Sequence, residues 1–101
     1  MNLIRNPLVD DLVPSEFYLS QNYPNPFSEK TTIKFCVAYK TKVKLEVFNS
    51  EGKMIKKLLD EEKEAGTYEV ELNARGLAEV TYIYQLQAGD FLAMKKMTLL
   101  R

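Results

Sequence analysis

Thr31–Ser50 reads TTIKFCVAYKTKVKLEVFNS. Within it Ile33, Phe35 and Val37 alternate with Thr32, Lys34 and Cys36. After the turn that holds Tyr39, Val43, Leu45 and Val47 alternate with Lys42, Lys44 and Glu46. A period of two places successive side chains on opposite faces of an extended chain, so both runs predict half-buried β-strands. Cys36 falls on the second face of its strand, out of phase with Phe35 and Val37.

The same period continues downstream. Asn49-Ser50-Glu51-Gly52 is a turn with glycine placed for positive φ. Gly66 starts a strand in which Tyr68, Val70 and Leu72 alternate with Thr67, Glu69 and Glu71. Val80, Tyr82, Tyr84 and Leu86 define another, closed by a hairpin turn at Ala88-Gly89-Asp90. The last stretch, FLAMKKMTLLR, continues as a strand to the final residue, but Lys95-Lys96 breaks its alternation and leaves its inward face unassigned.

Lys53–Ala65, KMIKKLLDEEKEA, fits two descriptions. Met54, Ile55, Leu58, Leu59 and Glu62 suit an amphipathic helix. The charges oppose it: lysines would sit at the positive end of the helix dipole and carboxylates at the negative end. The Lys57-Glu61 pair also has the weaker order for an i,i+4 contact. The expectation is a strand over 53–59 followed by a solvated acidic loop over 60–66.

Upstream, Phe17–Phe27 reads FYLSQNYPNPF. Proline fixes its own φ and pushes the preceding residue towards extended geometry, so Tyr23-Pro24-Asn25-Pro26-Phe27 is a stiff turn with aromatics at its ends to clamp it onto a core. Residues 1–16, with Pro7 and Pro14 and no clean period, read as a linker or strand-like lead-in from a preceding domain. Arg5, Asp10 and Asp11 interrupt the continuous apolar stretch a signal peptide needs. If the parent protein is exported, this chain is not expected to be its amino-terminal end. Short strands separated by turns, with little helix, predict an all-β, antiparallel β-sandwich.

Composition narrows the function. A chain of 101 residues suits one small domain. Fourteen Lys and Arg balance fourteen Asp and Glu, which removes the basic excess that draws proteins to nucleic acids and anionic membranes. There is no run near the roughly 18 apolar residues of a transmembrane helix. Histidine is absent, so no Ser-His-Asp triad, Cys-His pair or His-ligated metal can be built from this chain. A single cysteine, Cys36, closes no intrachain disulfide and has no histidine to activate it. The cluster Asp60, Glu61, Glu62 and Glu64 lacks the spacing of a Ca²⁺ loop and reads as a solvated segment. The sequence therefore predicts no enzyme, no cofactor and no metal.

Gly52, Gly66, Gly76 and Gly89 are too widely spaced to cradle a phosphate and read as turn residues. Tyr68, Tyr82 and Tyr84 share the phase of Val70, Val80 and Leu86, which favours core packing over a sugar-stacking surface. Tyr23 and Tyr39, in turns, are left for a ligand. Lys95, Lys96 and Arg101 form a small basic patch without acidic neighbours in sequence; lysines there also blunt an edge strand against aggregation.

Leu19–Ile33, LSQNYPNPFSEKTTI, resembles the start of the carboxy-terminal sorting domain of the type IX secretion system (the Por secretion system). The resemblance continues in order through Val43–Lys53 (VKLEVFNSEGK), Ala65–Tyr68 (AGTY), Gly76-Leu77-Ala78, Tyr82–Leu86 (YIYQL) and Lys95–Arg101 (KKMTLLR), covering residues 17–101. It implies an immunoglobulin-like sandwich of about seven strands at the carboxyl end of a larger secreted protein. Such a domain is a sorting signal: an outer-membrane translocon recognises it, and a cell-surface sortase can remove it and anchor the cargo. The implied partners are the translocon, the sortase and the parent's amino-terminal cargo domains. The implied location is the medium or surface of a Gram-negative-type bacterium, reached through the periplasm.

Carried over by residue, the closing motif falls on Lys95, Lys96, Met97, Thr98, Leu99, Leu100 and Arg101, the expected recognition residues. The opening motif falls on Pro24, Asn25, Pro26 and Phe27, the Gly-x-Tyr element on Gly66 and Tyr68, and further structural positions on Gly52, Gly76, Tyr82 and Tyr84. The chain departs from the family where Glu79-Val80 replaces the usual Ser-Gly and where Glu29 and Ala38 replace frequent prolines. A terminal strand also suggests that a partner adds a strand alongside it, and weak self-association through an exposed edge is the corollary. Two other readings accompany this one. The first is an immunoglobulin-like assembly domain similar to that of flagellar hook-capping proteins. The second is a carbohydrate-binding accessory module, which would need Tyr23, Tyr39 and Phe48 on one surface.

Overall fold

The computed structural model describes Pro14–Leu100. Most of the expected lead-in, residues 1–13, and the terminal recognition residue Arg101 lie outside the described residues. Among those described there is no helix, and seven strands run antiparallel: β1 (Tyr18–Leu19), β2 (Lys30–Val37), β3 (Thr41–Phe48), β4 (Met54–Lys63), β5 (Gly66–Asn73), β6 (Thr81–Ala88) and β7 (Phe91–Thr98). They form a three-stranded sheet, β1-β2-β5, packed against a four-stranded sheet, β4-β3-β6-β7. The sandwich is immunoglobulin-like.

The period-two residues fill the space between the sheets. Ile33, Phe35 and Val37 of β2, Val43, Leu45 and Val47 of β3, and Tyr84, Leu86 and Ala88 of β6 are fully buried. Burial of a large apolar side chain contributes about 1.5–3 kcal/mol, so these positions fix the register of both sheets. Tyr82 and Tyr84 are core residues, and Tyr68 is half-buried with its ring stacked on Phe35 at 5.4 Å. The outward partners are polar: Lys34 stands directly opposite Glu69 across β2 and β5, with a 3.6 Å ion pair. Exposed pairs of this kind contribute little to stability.

Residues 53–66 correct the expectation. The strand does not stop at Leu59; β4 runs to Lys63, and the acidic residues Asp60–Glu62 pair with β3. Asp60 is opposite Lys44 and reaches Lys42 at 3.6 Å, while Lys40 lies 3.9 Å from Glu62 and 3.6 Å from Glu64. Cross-strand lysines neutralise the acidic run, so it can lie along a sheet edge. The hydrogen bond from Lys57, at 3.2 Å, holds the Asp60 carboxyl below its usual range.

The helix-like spacing in β4 also has a cause. Pairing with β3 matches Leu59 to Leu45, then Lys57 to Glu46, Lys56 to Val47 and Met54 to Phe48. Leu58 and Ile55 are the residues skipped at two bulges. Each inserted residue shifts the alternation by one, which converts a period of two into apparent pairs of adjacent apolar residues.

The other differences are at strand ends. Ala88 is buried and belongs to β6, leaving Gly89-Asp90 as the turn, with Gly89 at φ 58°. Gly66 lies within β5 and is not among the positive-φ glycines. Val80 precedes β6 and is exposed, contrary to its expected core phase, and its carbonyl accepts from the Leu99 N–H at 2.7 Å. The departure at Glu79-Val80 is accommodated because the turn is made earlier. Leu77 N–H bonds the Ala74 carbonyl, and Gly76 supplies positive φ, 83°. Glu79 then accepts from the Ser50 hydroxyl at 3.0 Å.

Candidate functional site: the closing strand and its seam

β7 is an edge strand, paired on one side to β6 from Ala88↔Phe91 to Thr81↔Thr98. Its alternation is not broken at Lys95-Lys96. Lys95 stands opposite Tyr84, in the inward phase of Ala93 and Met97, and is half-buried; Lys96 stands opposite Ile83 and is exposed. An inward-phase lysine on an edge is a known guard against edge-to-edge aggregation. No carboxylate lies within ion-pair distance of Lys95 or Lys96 among the described residues.

The expected recognition residues therefore divide by face. Met97 is fully buried opposite Tyr82, and Leu99 is 4% exposed. Lys96 and Leu100 are exposed, and Thr98 is partly so. The strand does not run on beyond Thr98: Leu99 forms a single parallel bridge with Phe27.

That bridge belongs to a longer seam. The segment from Tyr18 to Phe27 passes from the edge of β2 to the edge of β7. It bonds first to β2, through Tyr18↔Cys36, Leu19↔Phe35, Ser20 N–H to the Lys34 carbonyl, and reciprocal 2.9 Å bonds between Tyr23 and Thr32. It then crosses over. Gln21 Nε2 donates to the Lys96 carbonyl at 2.7 Å, and Asn25 Oδ1 accepts from the Thr98 N–H at 2.9 Å. Phe27 N–H donates to the Thr98 carbonyl at 3.0 Å, and Leu100 N–H donates to the Phe27 carbonyl at 2.8 Å. The Tyr23-Pro24 and Asn25-Pro26 peptide bonds are cis.

A small polar network anchors the crossover. Asn22 and Thr31 are 2% and 1% exposed, the buried polar side chains in an apolar interior. Asn22 Nδ2 donates to Thr31 Oγ1 at 3.0 Å and to the Pro24 carbonyl at 3.2 Å, and the Thr31 hydroxyl donates to the same carbonyl at 2.8 Å. Gln21 Nε2 also donates to Asn22 Oδ1 at 2.7 Å, so one carboxamide links the buried network to β7. Each buried polar side-chain atom described has a partner, as an apolar surrounding demands. Tyr84 Oη donates to the Ser20 carbonyl at 2.6 Å from the β6 side, and burial pushes its phenol up to about 12.

Of the residues expected from the opening motif, Phe27 is buried and Pro24, Asn25 and Pro26 are exposed. Asn25 and Phe27 make contact with the closing motif, whereas Pro24 offers its carbonyl to Asn22 and Thr31. The Gly66-Tyr68 element lies in β5, where the Tyr68 hydroxyl donates to the Glu64 carbonyl at 2.6 Å beneath a Lys63 ammonium. Gly52 and Gly76 are in turns, away from the seam. Gln21, Asn22 and Thr31 carry no periodic or motif signal of this role in the sequence, although all three fall inside Leu19–Ile33.

The three aromatics of the sugar-binding reading are dispersed. Tyr23 borders a hollow with Thr32, Lys34 and Glu69. Tyr39 packs edge-on against Phe17, which stacks on Phe91. Phe48 lines a separate hollow with Ile83 and Met94. Among the described residues no group of His, Cys, Asp or Glu is placed to hold a metal ion, and no helix is long and apolar enough to cross a membrane.

A family model described as "Secretion system C-terminal sorting domain" matches residues 21–99. The match starts at Gln21 and ends at Leu99, and so spans both sides of the seam. No curated protein and no solved structure matches the chain.

Proposed function

From the premise that the chain belongs to the secretion-system C-terminal sorting domain family and is a sorting signal for type IX secretion, we propose that the signal is carried by the closing segment Lys95–Arg101 on the intact sandwich. The protein that bears it is exported, to the medium or the cell surface of a bacterium.

The observation that carries this reading is the division of the closing segment by face. Met97 and Leu99 hold the segment in the core, while Lys96, Thr98 and Leu100 face away from it. A buried register with outward side chains at fixed spacing is what a partner needs to recognise one strand end among many. The domain's role in this reading is non-catalytic, and its partners are the outer-membrane translocon, a sortase and the cargo domains of the parent protein. Residues 1–16 join the cargo to the sandwich over 17–101, and the sortase cuts in that lead-in after passage through the periplasm and the outer membrane. Weak self-association uses the outer edges of β4 and of the Phe91–Met94 half of β7.

Deleting Thr98–Arg101 from a cargo fused to this chain tests the assignment, with export as the readout. The reading predicts that the cargo is retained; export at the parental level overturns it. Mass analysis of the surface-bound cargo tests the sortase step, since removal leaves a product lacking residues 17–101.

A further inference from the structure

From the Lys96 carbonyl onwards, the free edge of the closing segment is bonded to the seam. Residues 92, 94, 96 and 98 of β7 share one parity. Of the two at the carboxyl end, Lys96 directs its carbonyl to the seam and Thr98 both its N–H and its carbonyl. The Lys96 carbonyl accepts from Gln21, and Thr98 gives its N–H to Asn25 and its carbonyl to Phe27. Beyond them, Leu99 N–H bonds Val80 and Leu100 N–H bonds Phe27. Strand addition uses those same edge groups, so an added strand at Lys96–Leu100 would first have to displace Gln21–Phe27. That segment is held by Phe27, 2% exposed, and by the buried Asn22–Thr31 pair.

Resting on the sorting reading above, we propose that the export machinery reads the closing segment in this sealed form, through its side chains, and that Gln21 and Asn25 are positioning residues of the signal. The surface consists of Lys96, Thr98 and Leu100 on a backbone fixed by the two carboxamides. Lys96 has no carboxylate partner among the described residues, and Leu100 is 58% exposed. The fitting partner surface is an apolar pocket rimmed by carboxylates.

The two modes of reading give opposite results when the seam is opened. The test uses the whole 101-residue chain behind a reporter with a cleavable signal peptide, in a bacterium possessing type IX secretion. Asn25→Leu and Gln21→Leu each remove a side-chain bond to β7, while Asn25→Asp keeps the acceptor for Thr98. Hydrogen exchange on the purified variants reports the seam directly: loss of the Asn25 acceptor is expected to speed exchange at Thr98 about tenfold, with the β2 and β3 amides unchanged.

Sealed reading predicts that both leucine variants lose most of their export while Asn25→Asp retains it. Export of the opened but folded leucine variants at or above the parental level overturns the proposal. Should a leucine variant unfold, Lys96→Glu serves in its place: it is on an exposed side chain and is expected to cut export several-fold with Thr98 exchange unchanged. Parental export of Lys96→Glu counts against the carboxylate-rimmed partner. A parent chain that is not exported at all defeats the sorting assignment itself, and the sealed reading with it.

Discussion

Asn22 Nδ2 lies 3.0 Å from Thr31 Oγ1, and both side chains are buried where the chain leaves β2 for β7. A buried polar pair contributes little net stability when satisfied but costs about 1–3 kcal/mol when one partner is removed. Asn22→Ala and Thr31→Val are each expected to lose that amount in urea unfolding. The double variant is expected to lose about 1 kcal/mol less than the sum, because the second change removes a group that has already lost one of its partners. Strict additivity would mean that the pair is not coupled.

Phe27 closes the seam from the inside, with 2% of its surface exposed and its backbone bonded to both Thr98 and Leu100. Phe27→Ala is expected to cost about 3–5 kcal/mol by chemical denaturation, the range for deleting a buried aromatic. A small domain has about 5–15 kcal/mol in total, so this variant loses a large share of it. Phe27→Leu is expected to cost less than half as much. Equal losses would show that the ring does not fill the space assigned to it.

Tyr84 predicts an alkaline limit. Its phenol is raised from 10.0 to about 12 by burial, so the folded state favours the neutral form. That contribution is complete below pH 10 and is lost as pH rises towards 12. Absorbance titration is expected to show one of the six tyrosines ionising last. Tyr84→Phe loses about 1–2 kcal/mol at neutral pH, because the Ser20 carbonyl loses its donor. Between pH 10 and 12 the variant then declines less steeply than the parent. Parallel pH profiles would contradict the assignment.

Gly89 carries the two-residue turn into the closing strand at φ 58°. An alanine there adopts the left-handed region at a cost of about 1 kcal/mol, and its Cβ would meet Thr41 Oγ1 at 3.3 Å. Gly89→Ala is expected to lower stability by 1–2 kcal/mol, whereas Gly89→Asn, more tolerant of that conformation, loses less. A neutral Gly89→Ala would show that the turn relaxes to another type.

Alternation made most of the fold legible. In β2, β3 and β6 one face is buried and the other wet, so apolar residues recur at every second position with few exceptions. β4 was harder because Ile55 and Leu58 are bulge residues, and two insertions in one strand imitate a helical stripe. Its acidic end reads as loop because carboxylates on a strand need cations nearby, and those, Lys40 just before β3 and Lys42 on it, lie beyond what a local window shows.

The site was legible only in part. The closing motif could be located from its residues, but the sequence alone did not separate buried Met97 and Leu99 from outward Lys96 and Leu100. Gln21, Asn22 and Thr31 read as ordinary polar residues because what matters about them is their partners. Asn22 and Thr31 meet only once the chain turns back at Tyr23–Phe27, and Gln21 reaches a carbonyl 75 residues away. Polar side chains carry no periodic signal of burial when they serve a crossover rather than a strand face.

The central claim is that this sandwich, with its closing segment in place, directs export. Residues 17–101 fused to a fluorescent reporter behind a cleavable signal peptide test it in a bacterium with type IX secretion, alongside the same fusion lacking Thr98–Arg101. The account predicts reporter at the surface or in the medium for the complete fusion and periplasmic retention for the truncated one. Periplasmic retention of the complete fusion, with its sandwich folded, would contradict it.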